Sequence, residues 1–441
     1  MIVSLIDYKE KGLNFNRDQT GTFGSQMKAN GFLGSMITNA KKDRLHLPIM
    51  SFAYIATLLK NAGHQVGFYH RVSEVPKDSD LIIIASSMAG YKIECAFARE
   101  LRKTHGKAKI GFIGSFASVK PELFKDASDF IIDGEPEGAI LDFIKGKTAL
   151  EGIVHSPTVP NLDELPVPDW DILGVNKFSY FPILPKKPFL PVVTSRGCTF
   201  NCDFCPYMVS QKPAMRYRSV GSVLNEIETL IKKYRIKSLM FRDITFTMNR
   251  KRIVELCQGM IDRKFNLEWA CETRVDLLDP ELIQTLVKAG MRGVNLGIES
   301  FNLDIMKKSG KKPDSLIHQN SMIELMNRLG VKVSAFYMIG FPDETETDIE
   351  NTIRYAKSLN THFAQFCIFT PFPGTPTFEE MKDRLLTEDW TQFTEYNPVI
   401  KYKNIPPNKV EKLRDRAFVS YYFRPGWLAR YGPGTLASFF K

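Results

Sequence analysis

The stretch Thr194-Ser-Arg-Gly-Cys-Thr-Phe-Asn-Cys-Asp-Phe-Cys-Pro-Tyr207 constrains this 441-residue chain more than any other. It sets Cys198, Cys202 and Cys205 in a C-x3-C-x2-C spacing directly after an apolar run at 189–193. A run that short, Val-containing and preceded by Pro188, reads as a buried strand, so the cysteines sit on the loop leaving a strand end. Thiolates are soft ligands suited to iron–sulfur clusters or to zinc. Three of them cannot close a four-iron cluster; one iron stays open, as a catalytic metal keeps a position for the molecule it activates. On the residues alone, a zinc site in a non-catalytic binding protein and three unrelated core cysteines are the alternatives.

From 189 onward strands alternate with helices. Strands are expected at 189–193, 238–241, 267–271, 293–297, 332–338 and 363–369, and helices at 220–233, 250–263, 280–289, 315–329 and 346–358. Six such units are too few to close an eight-stranded barrel and suit an open partial (β/α)6 barrel with its chemistry at the carboxyl ends of the strands. Those ends carry Asp243, Arg274, Glu299 and Gly340, followed by Pro371-Phe-Pro-Gly-Thr-Pro376. For Arg274 and Glu299 a structural ion pair inside the barrel mouth is the alternative.

The first 150 residues also alternate. Strands are expected at 2–6, 65–69, 81–85, 108–113 and 130–132, with a helix at 48–60 closed near Gly63 and a long polar loop reaching about residue 44. Buried apolar strands separated by helices imply an α/β, doubly wound, Rossmann-like domain with a parallel sheet, which takes ligands outside the carboxyl ends of its strands. Ser86, Ser87, Gly114, Ser115, Gly134 and Glu135 occupy those ends, where small residues let a large ligand approach the backbone. Residues 151–188 hold seven prolines and read as a linker, in which Trp170 and Tyr180 pin the chain; 386–441 reads as a short helical extension packed on the barrel.

The cysteine spacing, with Phe204 just before the third cysteine, resembles the signature of the radical SAM superfamily. The resemblance implies a [4Fe-4S] cluster on Cys198, Cys202 and Cys205 whose open iron binds S-adenosylmethionine (SAM), and cleavage of SAM to a 5′-deoxyadenosyl radical. It assigns Asp243, Arg274, Glu299 and Gly340 to the seat of SAM, although Asp243 lies where the superfamily commonly has Gly-Gly-Glu. The helix at 48–64, the Gly114-Ser turn and Gly134-Glu-Pro-Glu137 resemble the cobalamin-binding domain that precedes many radical SAM domains. That implies Ser86, Ser87, Gly114, Ser115, Gly134 and Glu135 around cobalamin, and methylation of an unactivated carbon in a small-molecule, lipid or peptide substrate. An oxidative cyclase or rearrangement enzyme, and a SAM-only radical enzyme whose cobalamin domain has degenerated, are the alternatives. No Asp-x-His-x-x-Gly run is present, Asp43-Arg-Leu-His46 being nearest, so cobalamin is expected without a histidine on cobalt. A flavodoxin- or ferredoxin-type electron donor is the implied partner.

Composition narrows the setting. Seven cysteines, an odd number with three clustered, argue against a secreted disulfide framework, and no apolar run approaches the ~20 residues of a membrane span. The N-terminus lacks the features of a signal peptide, so a reducing cytoplasm is expected. The net charge of +10 is spread over scattered lysine pairs, including Lys307-Lys308 and Lys311-Lys312, that read as solvated surface. No nucleic-acid motif appears, and the aromatic and arginine-rich tail leaves peripheral membrane contact open.

Overall fold

Two parallel sheets of six strands organise the chain. In the computed structural model the described residues are 1–8, 23–24, 30–32, 34–35, 44–211 and 214–439, the last seven as backbone alone. Most of the stretch expected as a long loop before residue 44 lies outside them, as does Asp43.

The first sheet comprises β1 (Ile2–Ile6), β2 (Gln65–Tyr69), β3 (Leu81–Ala85), β4 (Lys109–Ile113), β5 (Phe130–Asp133) and β6 (Gly152–His155). Their order is β2-β1-β3-β4-β5-β6, all neighbours parallel. Winding reverses between β1 and β3, which makes that junction the switch point where doubly wound sheets bind ligands. Leu-Ile-Ile-Ile-Ala of β3 is buried at every position, as a central strand covered on both faces must be. Each of its three isoleucines contributes about 1.5–3 kcal/mol by leaving water. Strand β6 falls inside the stretch expected as linker. Three of its four residues are exposed, so an edge strand formed by backbone pairing left no apolar run to read.

The second sheet comprises β7 (Phe189–Val192), β8 (Ser238–Phe241), β9 (Glu268–Thr273), β10 (Met291–Glu299), β11 (Lys332–Ile339) and β12 (Phe363–Ile368). They pair in parallel in chain order, winding one way without reversal into an open barrel. Five of the helices between them begin at Ser219, Asn249, Asp279, Ser315 and Thr345, whose side chains accept hydrogen bonds from first-turn backbone N–H groups. Each such cap contributes about 1 kcal/mol.

The proline-rich segment is more than a surface strap. Trp170 is fully buried beside Phe178, and Ile183 packs where Gly293 leaves no room for a Cβ. Lys332 Nζ donates to Pro182 O at 2.7 Å, so the segment closes the amino end of the barrel. Helix Pro407–Tyr422 packs on β12 and on helix Glu346–Leu359, as expected of the extension. One hydrophobic cluster unites Ile84, Phe112 and Phe116 of the first sheet's domain with Phe204, Phe341 and Phe372 of the barrel and Phe393 of the extension. The carboxyl edges of both sheets thus meet across one apolar layer. Among the described residues no helix is long and apolar enough to cross a membrane.

Candidate active site

The cysteine loop begins and ends on two short antiparallel strands, Ser195–Arg196 and Arg216–Tyr217. Gly197 between them has φ 94°, and a Cβ there would lie 2.2 Å from Ala214 O, so only glycine lets the two stems close. Cys198 is buried and Cys202 and Cys205 are half-buried; Cys205 N donates to Cys202 O at 3.0 Å, wrapping the loop into a tight turn. Burial pushes the Cys202 thiol up and the Cys205 thiol up to about 12, each raised further by the neighbouring cysteines. Such thiols bind as thiolates only when a metal takes the proton's place. Phe204 packs edge-on against Phe341, ring centroids 6.1 Å apart, anchoring the loop to the end of β11.

Charged side chains from other strand ends surround this loop. Lys311 and Arg274 both act electrostatically on Cys202. Lys311 Nζ donates to Glu299 Oε1 and to Gly297 O, both at 2.8 Å, and its side chain is 11% exposed. Arg274 lies 3.9 Å above the Phe200 ring of the cysteine loop and donates to Asp276 at 2.9 and 3.0 Å. The structural ion pair foreseen for Arg274 is therefore present, and it holds the guanidinium against the cysteine loop. A cleft lined by Arg274, Gly297, Ser300, Lys311 and Gln319 opens beside them.

Glu299 sits at φ 67°, and Glu395 of the extension also at φ 67°. Left-handed backbone at non-glycine residues costs free energy and concentrates at functional sites. Burial and then the charge of Glu299 push the Glu395 carboxyl up to about 7. Glu395 O accepts from Ile368 N at 2.7 Å, so the extension continues the barrel edge and delivers this carboxyl to its mouth.

Two other positions differ from their expected surroundings. The Asp243 carboxylate is buried and already takes Thr194 N at 2.7 Å, Thr194 Oγ1 at 2.5 Å and Ser195 Oγ at 2.7 Å; burial raises its pKa. It braces the entry to the cysteine loop. Gly340, at φ 78°, admits close approach from Val410 and Tyr402 of the extension.

Ser86, Ser87, Gly114, Ser115, Gly134 and Glu135 all follow the carboxyl ends of β3, β4 and β5. Ser86 Oγ and Ser115 Oγ are buried without a hydrogen-bond partner. Gly114, at φ 124°, would place a Cβ 2.8 Å from Ser86 Oγ. Ser87 by contrast is satisfied: its N–H and Oγ–H both donate to buried Glu94, at 2.8 and 2.7 Å. The Glu135 carboxylate is taken up by Arg196 and Arg216. His70 leaves the end of β2, where its Nδ1 bonds Asp7 O at 2.7 Å; His46 is exposed on a two-residue strand paired with 179–180.

Sequence reasoning missed Lys311, Glu395, Arg196 and Arg216. Lys311 was counted with solvated surface lysines, and only the turn after helix Leu303–Lys308 returns it to the end of β10. Glu395 follows no strand of the barrel and gave no signal. Arg196 stands within the cysteine motif, but its partners lie some sixty residues away.

Residues 192–356 match the radical SAM superfamily. Over 413 residues the chain is 28% identical to an uncharacterised methyltransferase of Pyrococcus horikoshii, covering 86% of this chain and 88% of that one. It is 29% identical over 342 residues to the anaerobic magnesium-protoporphyrin IX monomethyl ester cyclase of Rubrivivax gelatinosus, covering 70% and 59%. Its fold is similar to that of OxsB, a cobalamin-dependent SAM radical enzyme solved with aqua-cobalamin: TM-score 0.69, 15% identity, 96% of this chain and 67% of that one.

Proposed function

We propose that this enzyme, whose residues 192–356 match the radical SAM superfamily, joins SAM cleavage in the barrel to a cobalamin held on the first sheet, and methylates an unactivated carbon. When bound, the cluster and SAM supply a 5′-deoxyadenosyl radical and cobalamin supplies a transferable methyl group. The observation that carries the cobalamin reading is the pair of buried, unpartnered hydroxyls on Ser86 and Ser115, set beside Gly114 near the switch point. A buried hydroxyl without a partner costs about 1–3 kcal/mol. A large polar ligand at this edge would relieve both. Glu135 is already committed to arginines, so such a ligand would meet that loop through Gly134 and the backbone.

The chain's own residues divide the remaining work. Cys198, Cys202 and Cys205 would hold the cluster. Lys311 and Arg274 offer positive charge beside Cys202 and Glu299 offers negative charge, which complements the zwitterionic methionine end of SAM. Phe204 and Phe341 exclude water from the layer between the sheets. Glu395, near Glu299 and presented by the extension, would face the substrate. The substrate, its small-molecule, lipid or peptide nature, the flavodoxin- or ferredoxin-type donor and a cytoplasmic setting complete the proposal.

Anaerobic reconstitution with iron, sulfide and hydroxocobalamin tests it. About four irons per chain, one cobalamin and transfer of the labelled SAM methyl group are expected. SAM cleavage without cobalamin binding would refute the methyl-transfer reading. Cobalt is expected without a nitrogen ligand, and triplet splitting of the cobalt(II) resonance that is lost in His70→Ala or His46→Ala would overturn that. Oxidative ring closure with the same cofactors is a second reading, favoured by the similarity to the Rubrivivax cyclase. Cofactor loading and SAM cleavage without label transfer would favour it instead, and detection of a ring-closed product would establish it.

A further inference from the structure

Both stems of the cysteine loop are gripped by carboxylates of the N-terminal half. Arg196, 1% exposed and two residues before Cys198, donates from Nη1 to Glu135 Oε2 at 3.0 Å and Glu137 Oε2 at 3.1 Å, and from Nη2 to Glu137 Oε1 at 2.7 Å. Arg216, directly across the two-strand ladder from Arg196, donates from Nη1 to Glu135 Oε2 at 3.0 Å and from Nη2 to Glu135 Oε1. Its Nη1 also bonds Val159 O at 2.8 Å. The Tyr54 ring of helix Met50–Asn61 lies 5.4 Å from the Arg196 guanidinium. Two positive and two negative side chains therefore balance in a largely buried site. Glu135 and Glu137 open helix Pro136–Ile144, in the loop that leaves β5 beside Gly134.

We propose that Glu135 and Glu137 are positioning residues for the cysteine loop: through Arg196 and Arg216 the strand-end loop of the first sheet sets where the cluster stands. Buried ion sets are often no more stabilising than apolar packing of the same volume. What forked arginine–carboxylate bonds add is direction, because they fix the angle and register of the groups they join. Here they act on stems pressed together at Gly197, where a shift in Arg196 passes to Cys198 through two peptide bonds. The loop that would border one cofactor thereby holds the loop that carries the other. The proposal rests on the cluster reading of the three cysteines and not on cobalamin.

Two variants of the full chain test it. Arg196→Lys keeps the charge and loses the fork. Arg196→Met with Glu137→Leu removes one charge of each sign, and leaves Glu135 paired with Arg216. In the cofactor-free double variant, hydrogen exchange of amides 197–211 is expected to rise about tenfold or more, with β3 and β10 within about twofold of the parent chain. After reconstitution both variants are expected to hold iron at the parent level, while the change that SAM produces in the resonance of the reduced cluster is lost or split into several species. Loop exchange within about twofold of the parent, together with an unchanged SAM response, overturns the proposal. So does a uniform rise across both sheets, which would mark a contribution to stability alone. Should the parent chain take up no iron, the cluster reading fails, and the exchange measurement still decides whether the carboxylates grip the loop.

Discussion

The two sheets each present six parallel strands, yet their carboxyl edges are finished differently. In the first, which reverses its winding, Ser86 Oγ and Ser115 Oγ are buried and unpartnered beside Gly114, and the carboxylates at the end of β5, Glu135 and Glu137, are taken up by arginines of the cysteine loop's stems. In the second, which winds one way, the edge is crowded with charges already paired: Lys311 with Glu299, Arg274 with Asp276, Asp243 with Thr194 and Ser195. An unpartnered buried hydroxyl leaves hydrogen-bonding capacity unused at a cost in stability. A paired charge marks a place where the protein has fixed the field before any ligand arrives.

The largest effect expected on this contrast comes from the cysteines. Changing Cys198, Cys202 or Cys205 to Ala should abolish SAM cleavage, measured as 5′-deoxyadenosine release, since two thiolates cannot hold a four-iron cluster with one defined open site. Cys257→Ser and Cys271→Ser, both in the barrel core, should retain it. Loss of iron from a folded Cys271→Ser protein would show the ligand set to be wrong.

Next in size is the barrel's paired charge. Removing one charge-assisted hydrogen bond costs about 1.5–3 kcal/mol, so Lys311→Met should weaken SAM binding by about 10–100-fold at unchanged iron content. Equilibrium dialysis of the reconstituted protein measures this, with the exposed Lys308→Met as control. Equal affinities in the two variants would return Lys311 to the structural surface.

The first edge should respond with the opposite sign in its empty form. Ser86→Ala with Ser115→Ala removes two unpartnered groups, and cofactor-free stability should hold or rise by about 1 kcal/mol, while cobalamin binding weakens by about tenfold. Ser87→Ala should instead destabilise the empty protein, because it strips a partner from buried Glu94. Denaturant titration and cobalamin absorbance read both. Destabilisation by the double variant would mean the two hydroxyls have partners after all.

The last effect is one of pH and lies in the loop after β11. Burial pushes the Glu344 carboxyl up to about 8, against the backbone N–H groups of Gly340 and Phe341, which bond its Oε2 at 2.6 and 3.1 Å and favour the charged form. A folded pKa above the ordinary 4.5 means the folded chain keeps a proton that the unfolded chain gives up. That stability is complete below the ordinary value and is lost progressively as pH rises toward 8. Glu344→Gln should flatten this slope and gain on the parent at pH 8, as thermal melts across the window would show. Parallel pH profiles would contradict it.

Much of this was legible without coordinates. Among the described residues, the twelve strands other than the short two-residue ladders follow the expected runs except β6, because apolar runs, proline and glycine punctuation and helix caps act within a few residues of themselves. The cysteine loop was legible for the same reason: a spacing is a local property. The sequence by itself determined the order of strands and helices, the place of the three cysteines at a strand end and the small residues along the first edge. The tertiary structure alone decided that Lys311 leaves the surface for the end of β10, that Glu395 reaches the barrel mouth from the extension, and that Glu135 and Glu137 close on Arg196 and Arg216. Each of these joins groups that nothing in their own neighbourhood specifies. A lysine or glutamate carries the same charge at the surface and in a cleft, and only the path of the backbone brings the opposite charge within reach and takes the water away.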